Sequence, residues 1–305
     1  MAIVKTDVPM TSRLCEETIL ALVRTYPFLR TEVLAETAQG RNIRTLVIGN
    51  GARKVIYSAA WHANEWITTP ILLKFVEEFA EALQSGGEIF GVNAGDLAAK
   101  VTVYTVPMVN PDGVDLVTGA IPPEQTAYQN AALIADNFPA IPFPEGWKAN
   151  LNGVDLNLQF PAGWLRAREI KFLQGFNRPA PRDYVGRAPL NQRESRAMAG
   201  YTEYIDPALV LAFHSQGKEI YWSFMDYDVP GARELGEEFA RVSGYTLTEP
   251  AEVSSYAGYK DWFIKVFRKP GYTIEVGSGT NPLPLSQFDE IYRDNLGILV
   301  AAAVG

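Results

Sequence analysis

The chain has 305 residues, 47% hydrophobic and 20% charged, with a formal net charge of −8. That length can bury a large core without staples, and the acidic balance argues against nucleic acid or an anionic membrane as the main partner. A single cysteine, Cys15, can form no internal disulfide, so nothing demands an oxidising compartment.

Met1 to Asp7 holds no apolar run and no cleavage site, which predicts a cytoplasmic protein. No stretch is apolar enough to span a membrane. Nothing in the sequence sets the oligomeric state. Ser12 to Tyr26 reads as an amphipathic helix ended by Pro27. Arg44–Gly49 and Lys54–Ala60 read as two strands, and Asn50-Gly51 between them predicts a hairpin. Leu72 to Leu83 is a helix with one buried face, carried by Leu73, Val76, Phe79 and Leu83. Val101–Val106 is a short β-branched strand running into the turn-rich Pro107–Gly113.

Residues 111–189 carry ten of the 20 prolines and show no long helical period. Phe138, Phe143, Trp147, Phe160 and Trp164 make this segment too apolar for a linker, so it reads as long ordered loops (residues 110–190) packed over a site. A helix follows at Gln192–Tyr204. Then come a buried strand at Leu209–Phe213, a strand at Glu219–Phe224 and helices at Gly231–Ser243 and Lys260–Phe267. A last strand, Tyr272–Glu275, precedes a C-terminal helix to about Ala303. Alternating strands and helices predict an α/β single domain over residues 1–305. Its central sheet is expected to be mixed, largely parallel, and covered by helices on both faces.

In such a fold, functional groups gather at the carboxyl ends of strands. His62, Asn110, His214 and Glu275 each fall at or just after the end of a predicted strand, and His62 and His214 are the only two histidines. In Ser58-Ala-Ala-Trp-His62-Ala-Asn-Glu65-Trp66, an imidazole and a carboxylate three residues apart can reach one metal ion. Two histidines, one glutamate and a water form an open, catalytic zinc set. HxxE by itself is a short pattern that reads more readily as a helix-start loop with a chance His and Glu; the downstream motifs decide.

Those motifs are Gly153-Val-Asp155-Leu-Asn157, His214-Ser-Gln-Gly217 after a buried strand, and Thr273-Ile-Glu275-Val after another. Together with His62-Ala-Asn-Glu65 they resemble, in order and strand-end placement, the zinc carboxypeptidase family, from roughly Ser12 to the last helix. Three further stretches resemble the bacterial subgroup that cuts the γ-D-glutamyl–diaminopimelate bond of cell-wall peptides. They are Leu156–Pro161, Pro181-Arg182-Asp183-Tyr184, and Tyr256 to Trp262.

The resemblance implies a zinc metallopeptidase with one Zn2+ per chain, held by His62, Glu65 and His214. Glu275 would be the general base, and Asn157 would bind the substrate's carboxylate or backbone. The family follows that asparagine with a carboxylate-gripping arginine, whereas this chain has Leu158, so C-terminal trimming by the usual grip is not expected. Near Lys148 and Asn152, where the family carries an oxyanion-stabilising arginine, there is none; Lys148 is the candidate, against a reading as a solvated surface lysine. Tyr256, with Tyr259 nearby, is the candidate for the family's mobile tyrosine. Lys260 falls at the specificity position, where a lysine favours an acidic group on the residue after the scissile bond. Asp112, Asp155 and Asp261 read as structural carboxylates of a turn, a strand end and a helix cap. The expected partner is a peptide, specifically a cell-wall peptide. The rival readings are a zinc deacylase of the aspartoacylase or desuccinylase kind, a general metallocarboxypeptidase, and an inactive module that binds wall peptides.

Overall fold

Seven strands form the central sheet of the computed structural model, which describes residues 2–305. In chain order they are β1 (Leu46–Gly49), β2 (Arg53–Ser58), β3 (Val101–Val106), β4 (Leu209–His214), β5 (Glu219–Tyr221), β6 (Thr246–Thr248) and β7 (Gly271–Glu275). Across the sheet they lie in the order β6, β5, β7, β4, β2, β3, β1. The four central strands β7, β4, β2 and β3 run parallel. β1 is antiparallel to β3, β5 is antiparallel to β7, and β6 is parallel to β5. The chain is thus a single α/β domain with a mixed sheet, parallel at its centre.

The period-2 alternation of the strands divides the core between two faces. Leu209, Leu211 and Phe213 of β4 join one apolar layer, while Val210 and Ala212 join the other. Helices Thr68–Ser85 and Phe288–Val304 pack on the first face, and Arg193–Ile205 and Tyr259–Phe267 on the second. Helix Thr68–Ser85 ends at Gly86, whose left-handed φ of 70° lets its N–H reach back to Ala82 and Leu83. Among the described residues no helix is long and apolar enough to cross a membrane.

Two local expectations fail. β1 and β2 do not form a hairpin, because β3 lies between them and pairs with both. The Asn50-Gly51 turn instead wraps the start of β3. Asn50 N–H donates to the Ala98 carbonyl, and the Thr102 hydroxyl donates to the Gly51 carbonyl. A Cβ on Gly51 would lie 1.9 Å from the Lys100 carbonyl carbon, so the glycine is needed for close approach rather than for a hairpin bend. The proline-rich segment also holds three helices that its sequence does not announce: Pro111–Val117, Thr126–Ala135 and Trp164–Leu173. Each has at most 10 residues; the last two bury only a few side chains each, too narrow a stripe for a clear helical period.

Candidate active site

The carboxyl ends of β2, β4 and β7 meet at one cleft. In the β4–β7 ladder His214 is the register partner of Glu275, so the fold sets these last residues of their strands side by side. His62 follows β2 in extended conformation, just before a single 3-10 turn at Ala63–Glu65. The Thr68 hydroxyl fixes that loop by accepting from Ala60 N–H at 2.9 Å and donating to the Glu65 carbonyl at 2.7 Å.

His62 Nδ1 is 2.9 Å from Glu65 Oε1, His214 Nδ1 is 2.9 Å from Glu65 Oε2, and the two Nδ1 atoms are 3.1 Å apart. All three side chains are buried and could hold one metal ion. The donor chemistry fits zinc, which takes imidazole nitrogen and carboxylate oxygen. The fit also shows in the ring orientation. His62 Nε2 lies 3.1 Å from Asp155 Oδ1, so in the neutral imidazole that binds a metal Nε2 carries the proton and Nδ1 presents its lone pair to the shared point. Asp155 is therefore more than the structural strand-end carboxylate read from the sequence: it sets the His62 tautomer.

The charges are mutually dependent. Burial opposes the charge of His62, but Glu65 and Asp155 outweigh it and push the imidazole up to about 9. Burial pushes His214 down. Burial likewise opposes the Glu65 carboxylate, yet His62, Lys148 and the His214 hydrogen bond hold it well below the usual range. Glu275 makes no such pairing; burial, and then the Glu65 charge, push it up to about 8. A carboxyl raised toward neutrality can both accept and return a proton.

A cleft of about 150 Å³ is lined by His62, His214, Glu275, Lys148, Asn157, Tyr256 and Lys260, and so brings together every sequence-predicted site residue except the buried Glu65 behind it. Lys148 Nζ lies 2.8 Å from Glu65 Oε1, an ion pair at the metal-site edge rather than a solvated surface lysine. Asn157 accepts from Tyr259 N–H through Oδ1 at 3.0 Å, which turns its NH2 toward other partners. Tyr256 borders the cleft over Gly163, where an added Cβ would come within 2.7 Å of its ring. Tyr259 is a core residue, its hydroxyl 2.7 Å from Thr202 Oγ1. Lys260 is buried; Nζ lies 2.7 Å from Asp261 Oδ1 and donates to the Ser223 carbonyl. Asn110 does not line the cleft. It ties the site loops together through the carbonyls of Trp61, Lys148 and Ala149 and caps helix Pro111–Val117.

Arg182, Lys171 and Tyr221 also line the cleft, and the sequence reading assigned none of them a role. Arg182 and Asp183 were visible only as part of a subgroup motif. Their position depends on the stretch 181–184 folding back on the site. The Pro181 carbonyl accepts from Lys148 and Ala149 N–H, and Tyr184 O accepts from Asp155 N–H.

A family model described as zinc carboxypeptidase matches residues 15–297. Gamma-D-glutamyl-L-diamino acid endopeptidase 1 of Lysinibacillus sphaericus is 48% identical over 283 residues, which are 93% of this chain and 69% of that protein. Thrombin activatable fibrinolysis inhibitor superposes with a TM-score of 0.77 at 16% identity, covering 100% of this chain and 76% of that one. The murein-tripeptide amidase MpaA from Escherichia coli O157 superposes with a TM-score of 0.54 at 20% identity, covering 89% of this chain and 91% of that one. The two structural likenesses speak for the fold.

Proposed function

The chain belongs to the zinc carboxypeptidase family, and from that membership we propose that it hydrolyses the γ-D-glutamyl–diaminopimelate amide of peptidoglycan peptides. It is a zinc metallopeptidase. The observation that carries the substrate reading is the 48% identity, over 93% of this chain, to a relative named for cleaving γ-D-glutamyl bonds to a diamino acid. Leu158 in place of a carboxylate-gripping arginine accords with a leaving residue that need not end its chain.

In this reading His62, Glu65 and His214 hold one Zn2+ per chain. A zinc ion held by them would supply Lewis-acid chemistry, activating a water near neutral pH and polarising the scissile carbonyl. Glu275 takes a proton from the attacking water and hands it to the leaving amine nitrogen, which a carboxyl raised by burial can do in both directions. Lys148 places a cation beside the metal ligands, where negative charge develops on the carbonyl oxygen. Asn157 and Tyr256 orient the leaving residue, and Lys260 faces its side chain.

The zinc-loaded protein incubated with purified muropeptides should release diaminopimelate-containing fragments cut at the γ-glutamyl bond, read by mass spectrometry. Cleavage of acyl-amino acids with no cleavage of any γ-D-glutamyl peptide would replace this reading with the deacylase one.

A further inference from the structure

The 150 Å³ cleft and a larger hollow adjoining it form two lobes that share Lys148, Arg182, Tyr221 and Glu275. One holds Asn157, Tyr256 and Lys260, the groups assigned to the leaving residue. The other, of about 640 Å³, is lined by none of those groups but by Asn64, Ile141, Ser215 and Asn281. Bond cleavage beside Glu275 therefore leaves the acyl residue in the second lobe.

The charged groups lining that lobe are Glu145, Lys148, Arg182 and Glu275. Glu145 is exposed, Glu275 is committed to proton transfer, and Lys148 is paired with Glu65 at 2.8 Å. Arg182 is the remaining cation. Its Nε donates to Asp183 Oδ2 at 2.6 Å, and its terminal nitrogens make no hydrogen bond among the described residues. The side chain is 43% accessible, so a ligand can reach the free fork.

The fork is held in place. Asp183 has a left-handed φ of 64°, a conformation aspartate tolerates better than most residues. Its carboxylate is anchored by Lys171 Nζ at 2.6 Å, and its N–H donates to Asp155 Oδ2 at 3.3 Å. On the other side the Pro181 carbonyl accepts from Lys148 and Ala149 N–H at 2.8 and 2.9 Å. Arg182 is thus pinned between residues tied directly to the metal-site loops.

A glutamate linked through its γ-carboxyl keeps its α-carboxylate free, a short carbon chain from the scissile carbonyl. An α-linked residue presents an anion at that distance only when it is itself a glutamate. A planar guanidinium with both terminal nitrogens open matches a carboxylate in bidentate fashion. We propose that Arg182 binds this free α-carboxylate and so selects an acyl-side residue that presents a free carboxylate, as a γ-linked glutamate does. The proposal rests on the γ-D-glutamyl reading above and adds the group that recognises it.

The test compares two peptides with the zinc-loaded protein: L-Ala-γ-D-Glu-diaminopimelate, and the same peptide with the α-carboxylate converted to carboxamide. Wild type should prefer the carboxylate peptide by roughly 10- to 100-fold in kcat/KM, the scale of a charge-assisted hydrogen bond. Arg182→Ala should lose most of that preference, its kcat/KM falling far more on the carboxylate peptide than on the carboxamide, and Arg182→Lys should recover part of it. In the Glu275→Gln background, calorimetry should show the same preference in Kd and its loss with Arg182→Ala. Equal losses on both peptides would assign Arg182 to oxyanion stabilisation or structure and overturn the proposal. So would wild-type cleavage of both peptides without preference. Wild type cleaving neither peptide would overturn the substrate reading and this inference with it.

Discussion

His62 Nε2 lies 3.1 Å from Asp155 Oδ1, on the opposite edge of the ring from the Nδ1 that faces Glu65 and His214. A carboxylate in that position holds the ring and, in the neutral imidazole, sets the tautomer that leaves Nδ1 for a metal; loss of such a partner costs 10- to 100-fold in metal affinity. Asp155→Asn should fold and bind zinc about 10- to 100-fold more weakly in a metal-buffered titration. His62→Ala and His214→Ala should purify with little zinc at all. Wild-type zinc affinity in Asp155→Asn would remove the orienting role, and full occupancy in either histidine variant would remove the ligand assignment.

Among the described residues Glu275 has no ion-pair partner, although it lines the same cleft as His62 and His214. Glu275→Gln keeps the shape and removes the proton acceptor. It should retain zinc and peptide binding while kcat falls roughly 10²-fold or more, the usual scale of proton-transfer catalysis. A drop in zinc content of the same variant would instead mean that Glu275 helps hold the metal.

Much of this architecture was legible in the sequence because its signals are local. The β4 run Leu209–Phe213 is continuously apolar, as a strand buried on both faces must be, and the only two histidines stand at or after strand ends. What was not legible depends on distant partners. Asn50-Gly51 has the composition of a hairpin turn, but the strand that settles the pairing begins at Val101. Asp155 looks like a loop carboxylate until His62, 93 residues away in sequence, is brought against it. Arg182 carries no periodicity or cap signal; it reaches the cleft because the Pro181 carbonyl is hydrogen-bonded to the Lys148 loop.

Cys15 sits in the core layer under helix Ser12–Thr25, only 5% exposed. Burial, with Glu16 and Asp115 nearby, pushes its thiol up to about 12. The thiolate is the reactive species, so at pH 8 the folded protein should leave a chromogenic disulfide reagent unreacted for as long as it stays folded. In denaturant one thiol per chain should react at once, since the chain has one cysteine. Rapid stoichiometric labelling of the native protein would show that this helix opens far more readily than its packing indicates.

Lys260 and Asp261 are each only 5% exposed in their side chains, and Nζ stands 2.7 Å from Oδ1 while it also donates to the Ser223 carbonyl. The other Asp261 oxygen accepts Gly258 N–H at 3.0 Å and so caps helix Tyr259–Phe267. The lysine is thus held at the cleft wall with part of its donor capacity already used. An ammonium has three donors, so one can still meet the distal carboxylate of a diaminopimelate side chain. A charge-assisted bond of that kind contributes about 1.5–3 kcal/mol. Lys260→Ala should therefore lower kcat/KM on the diaminopimelate peptide by roughly 10- to 100-fold. It should cost much less on the γ-linked lysine analogue, whose side chain has no distal carboxylate. The same substitution strands Asp261 as an unpaired buried charge, a loss on the order of 3–5 kcal/mol in stability, so its Tm should fall as well. A stability loss lowers the active fraction equally for both substrates, and the ratio of the two kcat/KM values is free of it. An unchanged ratio in Lys260→Ala would leave Lys260 a purely structural partner of Asp261.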